Sequence, residues 1–197
     1  MTRPDTLFFY YDYVDPVSYS LKHRLQESAG IGRSSLMPMP FELNPPPSPL
    51  LDPEGEEFRQ LWDRLSEEGQ ALGIELRRPW IVPWTRKAHE LAFHATEKDC
   101  FEEIHEAIFR AYLIEGRDIG RVDVLVEIAR NGGLDPQDTK AVLDVDRHRE
   151  AVEEARAEGL GIPITTLPAL VWNEKKLEGN PSSETLRSFL AFGAGRE

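Results

Sequence analysis

Strand-forming stretches stand at the two ends of this chain, and roughly one hundred residues of helical pattern separate them. A sheet built from such a chain must join segments far apart in sequence. That restricts the fold to an α/β unit interrupted by a helical insertion. Leu7 to Tyr13 (LFFYYDY) is aromatic and apolar, the composition of a buried strand. Asp15-Pro16 then opens a helix. Asp is a good N-cap, and Pro fits the first turn, where its missing N–H costs nothing. Val17, Leu21 and Leu25 keep helical spacing to about Ala29, and Gly30 is the expected stop. Ser35 to Leu43 alternates as a strand, which Pro38 and Pro40 place at a sheet edge. The opening is therefore strand, helix, strand.

Asn44 to Pro49 (NPPPSP) is expected to be extended, because successive prolines forbid helix. Helical patterns follow over 54–71, 86–98, 101–114 and 121–130, the last ending at Asn131-Gly132-Gly133. Asp135-Pro136 opens another helix, and Val145 to Glu158 forms a charged final one ending at Gly159. Strand pattern returns in Ala169 to Trp172, with Lys175 to Leu177 as its hairpin partner, and Ser183 to Phe192 closes as an amphipathic helix. The sheet unit is expected to comprise 1–50 and 159–197, and the helical insertion 51–158.

Composition narrows the function classes. Thirty-five acidic residues against 23 basic ones give a net charge of -12 at pH 7, which repels nucleic acid and anionic membrane surfaces. The one cysteine, Cys100, excludes an internal disulfide, a Cys-x-x-Cys redox pair and a multi-cysteine zinc site. Met1 to Asp5 run directly into the first strand and no apolar run reaches membrane-spanning length. No signal peptide is expected, and the expected location is cytoplasmic.

Tyr11 to Tyr19, Pro40 to Pro45, Phe109 to Ile119 and Leu167-Pro168, in this order along a strand, helix, strand opening, a helical stretch and a strand, strand, helix close, together resemble the DsbA family, whose thioredoxin fold pairs βαβ and ββα halves around a helical insertion. Tyr11 to Tyr19 (YDYVDPVSY) resembles the first strand and active-site turn, where Cys-Pro-x-Cys normally sits. Pro40 to Pro45 (PFELNP) resembles the segment after the second strand in the FrnE-like and 2-hydroxychromene-2-carboxylate isomerase-like branches. Phe109 to Tyr112 with Glu115 to Ile119 is similar to their helical signature, and Leu167-Pro168 stands where the family has its cis-proline turn.

At the Cys-Pro-x-Cys positions this chain reads Asp15-Pro16-Val17-Ser18. Disulfide exchange needs an attacking thiolate, which neither Asp nor Ser supplies, so dithiol oxidoreductase activity is excluded. The resemblance implies isomerase- or transferase-like chemistry on a small thiol, glutathione-like, or on an aromatic acid. It assigns catalytic roles to Asp15 and Ser18, and ligand binding to Leu167, Pro168 and, as a lining residue, Asn44. Glutathione is the cofactor it admits, a homodimer the assembly. The competing reading is a catalytically silent binding or assembly module, in which Asp15 is only an N-cap, like the Asp of Asp52-Pro53 and Asp135-Pro136.

Electrostatics weigh against thiolate activation. A carboxylate about 4 Å from a thiolate costs on the order of 4 kcal/mol at an effective dielectric near 20, against about 0.3–1 kcal/mol returned by a helix N-terminus. A carboxylate at that N-terminus is expected to have a lowered pKa. Ser18 is expected to face the interior as a satisfied hydroxyl, with no His or Asp partner beside it. The relatives' Gly-x-Asp-Arg is replaced by Gly179-Asn180-Pro181-Ser182.

Other clusters are weaker. His89 to His94 spaces its imidazoles by five, one too many for a His-Glu-x-x-His zinc helix, and His23, His105 and His148 are scattered, so no metal site is expected. Arg77, Arg78, Trp80, Trp84, Arg86 and Lys87 form a basic aromatic cluster. It reads either as a gate for an anionic aromatic ligand at the mouth between the two regions or as a loop anchored by its tryptophans.

Overall fold

The computed structural model describes residues 6–28, 36–71, 73–173 and 175–194. Its sheet has four strands, β1 (Leu7–Tyr11), β2 (Leu36–Pro40), β3 (Ala169–Trp172) and β4 (Lys175–Glu178), in the order β2-β1-β3-β4. β1 pairs parallel with β2, from Leu7 opposite Leu36 to Tyr11 opposite Pro40. It pairs antiparallel with β3, from Leu7 opposite Trp172 to Tyr10 opposite Ala169. The two central strands are the two apolar runs. All four residues of β3 and four of the five in β1 are buried, as a strand covered on both faces requires. β2 lies at the edge, where the prolines' missing N–H groups leave no gap in a central ladder.

Eight helices complete the described chain: α1 (Pro16–Glu27), α2 (Glu56–Ala71), α3 (Arg86–Glu97), α4 (Phe101–Leu113), α5 (Val122–Asn131), α6 (Pro136–Asp144), α7 (Arg149–Gly161) and α8 (Ser183–Ala194). The fold is thioredoxin-like, with helices inserted between β2 and β3. The chain divides into two compact units, Met1–Phe41 with Ala155–Glu197, and Glu42–Glu154. The expected stop at Gly30 lies outside the described residues.

In the sheet unit, Tyr10, Phe41, Ile164, Leu167, Ala169 and Val171 form one buried cluster. Gly159 belongs to its wall. A Cβ there would stand 2.7 Å from Phe41 Cδ2 and 3.1 Å from Tyr10 Cε1. This glycine admits the Phe41 ring and does not end α7, which runs on to Gly161. In the helical unit each of three helices buries one apolar face. Ala88, Leu91, Ala92 and Ala95 of α3 are buried, as are Ile104, Ile108, Ala111 and Tyr112 of α4 and Leu125, Ile128 and Ala129 of α5. Glu42 is fully buried there, and Arg86 reaches it with Nε at 2.9 Å and Nη2 at 2.8 Å from Oε2.

Three further expectations are corrected. β1 stops at Tyr11 because Asp12 turns the chain, its Oδ1 accepting the Tyr13 N–H at 2.8 Å. The proline run is a turn. The Ser48 N–H donates to the Pro45 carbonyl at 3.1 Å across a cis Pro46–Pro47 bond. α7 begins at Arg149, four residues after Val145. Asp146 there takes a left-handed backbone (φ 54), and the Arg147 N–H returns to the Val142 carbonyl, closing off α6.

Candidate functional site

Asp15 caps α1, and both of its carboxylate oxygens accept hydrogen bonds. Oδ1 accepts the Val17 N–H at 3.2 Å, and Oδ2 accepts the Ser18 N–H at 2.8 Å. The Ser18 hydroxyl donates to the same Oδ2 at 2.6 Å. The structure thus brings the two sequence-predicted catalytic residues into direct contact. Ser18 is completely buried, as expected, but it does have an acidic partner, which corrects the sequence expectation. Ser18 stands at the third helical position. From there its hydroxyl reaches back to the cap carboxylate, while the Asp15 N–H is taken by the Asp12 carbonyl, so this is not the reciprocal bond of a capping box.

The Asp15 carboxyl titrates at about 6, well above its ordinary value. Burial is the largest cause and disfavours the charged form. The hydrogen bonds from Ser18 and Val17 oppose it, and the nearby negative charge of Asp12 adds to the rise. The expected lowering of this pKa is therefore wrong in sign, because burial outweighs the helix terminus. Asp12 itself was overlooked in the sequence. It is buried, its carbonyl accepts the Asp15 N–H at 3.2 Å, and its own N–H approaches Ser18 Oγ at 3.4 Å. An acid closing an otherwise aromatic strand was the available signal.

With Tyr10 opposite Ala169, the chain leaving β1 toward Asp15 and the chain entering β3 from Leu167-Pro168 share one end of the sheet. Leu167 and Pro168 are buried, and the peptide bond between them is cis. The Pro168 carbonyl accepts the Gly179 N–H at 2.8 Å. Glu178 of β4 fixes the approach to this turn, accepting the Thr165 N–H at 2.6 Å and the Thr166 N–H at 3.3 Å. Burial works against its charge, but these donors and Lys176 hold its carboxyl below the usual range. At the replaced Gly-x-Asp-Arg stretch, Asn180 Oδ1 and the Pro181 carbonyl accept from the Arg24 guanidinium at 3.0 and 2.7 Å.

Asn44 belongs to the other unit, where its Nδ2 donates to the Pro49 carbonyl at 2.8 Å and closes the proline turn. The basic aromatic cluster is built as anchors. Trp80 Nε1 donates to the Gly116 carbonyl at 3.1 Å and Trp84 Nε1 to the Ser48 carbonyl at 2.9 Å. Arg77 donates to the Glu115 carbonyl, Arg78 pairs with Asp63, Arg86 with Glu42 and Glu153, and Lys87 with Glu90 and Asp146. The thiol of Cys100 is half-buried, and burial, with Glu103 and Asp99 nearby, pushes its pKa up.

Residues 6–191 match the DSBA-like thioredoxin domain. The chain belongs to the DsbA-like family. Consistent with this, it is 30% identical over 178 residues to the uncharacterized protein YwbO of Bacillus subtilis (strain 168), covering 86% of this chain and 88% of that one. Among solved structures, it resembles a probable DsbA oxidoreductase, SCO1869, of Streptomyces coelicolor, with a TM-score of 0.86 at 21% identity over 98% and 91% of the two chains. A 2-hydroxychromene-2-carboxylate isomerase follows at 0.73 and 17%, over 95% of each chain. The cytosolic disulfide reductase DsbM of Pseudomonas aeruginosa, solved with glutathione, gives 0.68 and 16%, over 95% and 96%. At these identities the likeness carries the DsbA-like fold alone. Within this family member, one cysteine cannot form the dithiol pair that disulfide exchange uses. Among the described residues no helix is long and apolar enough to cross a membrane.

Proposed function

We propose that this DsbA-family chain performs non-redox, isomerase- or transferase-like chemistry on a small thiol such as glutathione or on an aromatic acid. The ligand is held between the N-terminus of α1 and the Leu167-Pro168 turn. The observation that carries this reading is the Asp15–Ser18 pair, a buried carboxyl titrating at about 6 with a hydroxyl 2.6 Å away. A group that changes protonation near neutrality suits proton transfer in both directions. Asp15 takes and returns the proton, and Ser18 fixes the orientation of its carboxylate. The Pro168 carbonyl is engaged by Gly179, so an extended ligand takes its main-chain hydrogen bonds from Leu167. The isomerase and the glutathione-bound reductase that share the fold supply the two ligand classes worth testing.

Calorimetry with glutathione and with aromatic carboxylates tests this on the wild type, Asp15→Asn and Pro168→Ala. Binding of one ligand class, weakened by Pro168→Ala, is expected, with turnover that changes around pH 6 and disappears in Asp15→Asn. No binding of either class, or binding indifferent to both substitutions, overturns the reading.

A second reading, a silent binding module, has its own observation. Asp135 caps α6 as Asp15 caps α1, accepting the Asp138 N–H at 2.7 Å, so Asp-Pro opens a second helix here, whereas Asp52 makes a turn instead, its Oδ1 accepting the Glu54 N–H before α2 begins at Glu56. Turnover lost in Asp15→Asn refutes the module.

A further inference from the structure

We propose that His94, Glu97 and His148 form a binding site for a divalent metal ion of the zinc class, wholly inside the helical unit and independent of the chemistry at α1. One ligand atom from each residue lies within 4.8 Å of the others. His148 Nε2 is 3.6 Å, and His94 Nδ1 3.9 Å, from the same Glu97 Oε2. Ligands bound at about 2.1 Å around a tetrahedral ion stand about 3.4 Å apart, so closure takes side-chain shifts of the order of 1 Å. Glu97 can make them, since it ends α3 with its side chain 43% exposed.

The histidines point to a ligand independently of that spacing. The His94 side chain is 1% exposed, yet neither ring nitrogen has a hydrogen-bond partner, and His148 Nε2 is buried without one as well. A buried polar group left this way is destabilising, and a metal bond would satisfy it. Asp138 supplies a further element. Its Oδ2 lies 3.6 Å from His94 Nε2, the nitrogen that faces away from Glu97, and Lys98 holds that carboxylate at 2.9 Å. A carboxylate behind a metal-bound imidazole fixes its tautomer and raises its basicity.

His148 is held in place by its backbone N–H, 3.4 Å from Glu90 Oε2, and by the Phe93 ring stacked 6.0 Å away. Arg147 sits at the rim, its side chain 55% exposed and its Nη2 3.6 Å from Glu97 Oε2. Three protein ligands leave a fourth position for water or an exogenous ligand, the arrangement of reactive zinc sites.

The test is Zn2+ titration of chelator-stripped protein by calorimetry, with Co2+ absorption reporting tetrahedral geometry. One equivalent is expected to bind, weakened about tenfold or more in Glu97→Gln and in His148→Ala, and unchanged in Cys100→Ser. Circular dichroism of each metal-free variant establishes folding. Should His148→Ala fail to fold, the half-exposed Glu97→Gln decides alone. No stoichiometric binding to the wild type, affinity unchanged in Glu97→Gln, or a tenfold loss in Cys100→Ser overturns the site.

Discussion

Replacing Asp15 by Asn separates the two roles its carboxylate plays at the head of α1. As a cap it accepts from Val17, Ser18 N–H and the Ser18 hydroxyl, and as a buried acid it carries an ionisation penalty. The interval from its ordinary 3.8 to about 6 is worth about 3 kcal/mol at 1.36 kcal/mol per pH unit. A raised folded-state pKa means that the folded chain holds this proton more tightly than the unfolded chain. The associated stability is fully present below pH 3.8 and is lost as the pH rises through about 6. Asn never ionises, so the variant lacks that loss.

Asn also loses one acceptor, since its amide group cannot receive both N–H donors, at a cost of about 1–3 kcal/mol. The amide does not titrate, so its own hydrogen bonding is the same at every pH. Urea unfolding of wild type and Asp15→Asn at pH 4 and at pH 8 therefore isolates the ionisation. The variant is expected to gain about 2–3 kcal/mol relative to wild type between the two, because part of the penalty already applies at pH 4. A difference that stays constant from pH 4 to 8 refutes the raised pKa. A variant that loses ground as pH rises shows instead that the α1 terminus stabilises the carboxylate more than burial penalises it.

Two further substitutions probe packing, one in each unit. Arg86→Ala leaves the fully buried Glu42 carboxylate without its two-pronged guanidinium and is expected to cost about 3–5 kcal/mol in urea unfolding, with Arg86→Lys only partly restoring it. Gly159→Ala gains about 1 kcal/mol of helix propensity but drives a methyl into Phe41, which Arg156 covers from 5.4 Å. Overpacking at about 1–3 kcal/mol outweighs the gain, so a lowered melting temperature is expected, and an unchanged or raised one contradicts the packing argument.

What was legible in the sequence was local. Asp15-Pro16 and Asp135-Pro136 announce α1 and α6, and both side chains accept helix N–H groups as that signature implies. The apolar runs Leu7–Tyr11 and Ala169–Trp172 proved to be the central strands. Failures came where long-range packing decides. Gly159 looks like a stop in sequence, yet its lack of a side chain serves Phe41, more than one hundred residues earlier. Residues 145–148 carry no helix breaker, and only the left-handed backbone of Asp146 delays α7 and sets His148 beside His94. The i, i+3 pairing of His94 with Glu97 was visible along α3, whereas the third member, half a chain unit away in sequence, was not.

The sign of the Asp15 shift also bounds what the site can do with sulfur. At pH 7, a carboxyl titrating at about 6 is about ten-to-one ionised, so a thiol placed beside it meets a negative charge. An ordinary thiol titrates near 8.5, which makes proton transfer to Asp15 uphill by about 3 kcal/mol before the repulsion between thiolate and carboxylate, or between thiolate and Asp12, is counted. A thiol bound at this terminus therefore stays protonated and serves as a handle, not as a nucleophile. The same carboxylate is a competent acceptor for a proton that must later be returned, because neither direction of transfer is steep. Of the two kinds of chemistry proposed for this family member, the Asp15 pKa therefore favours the proposal of reversible proton transfer within one bound molecule.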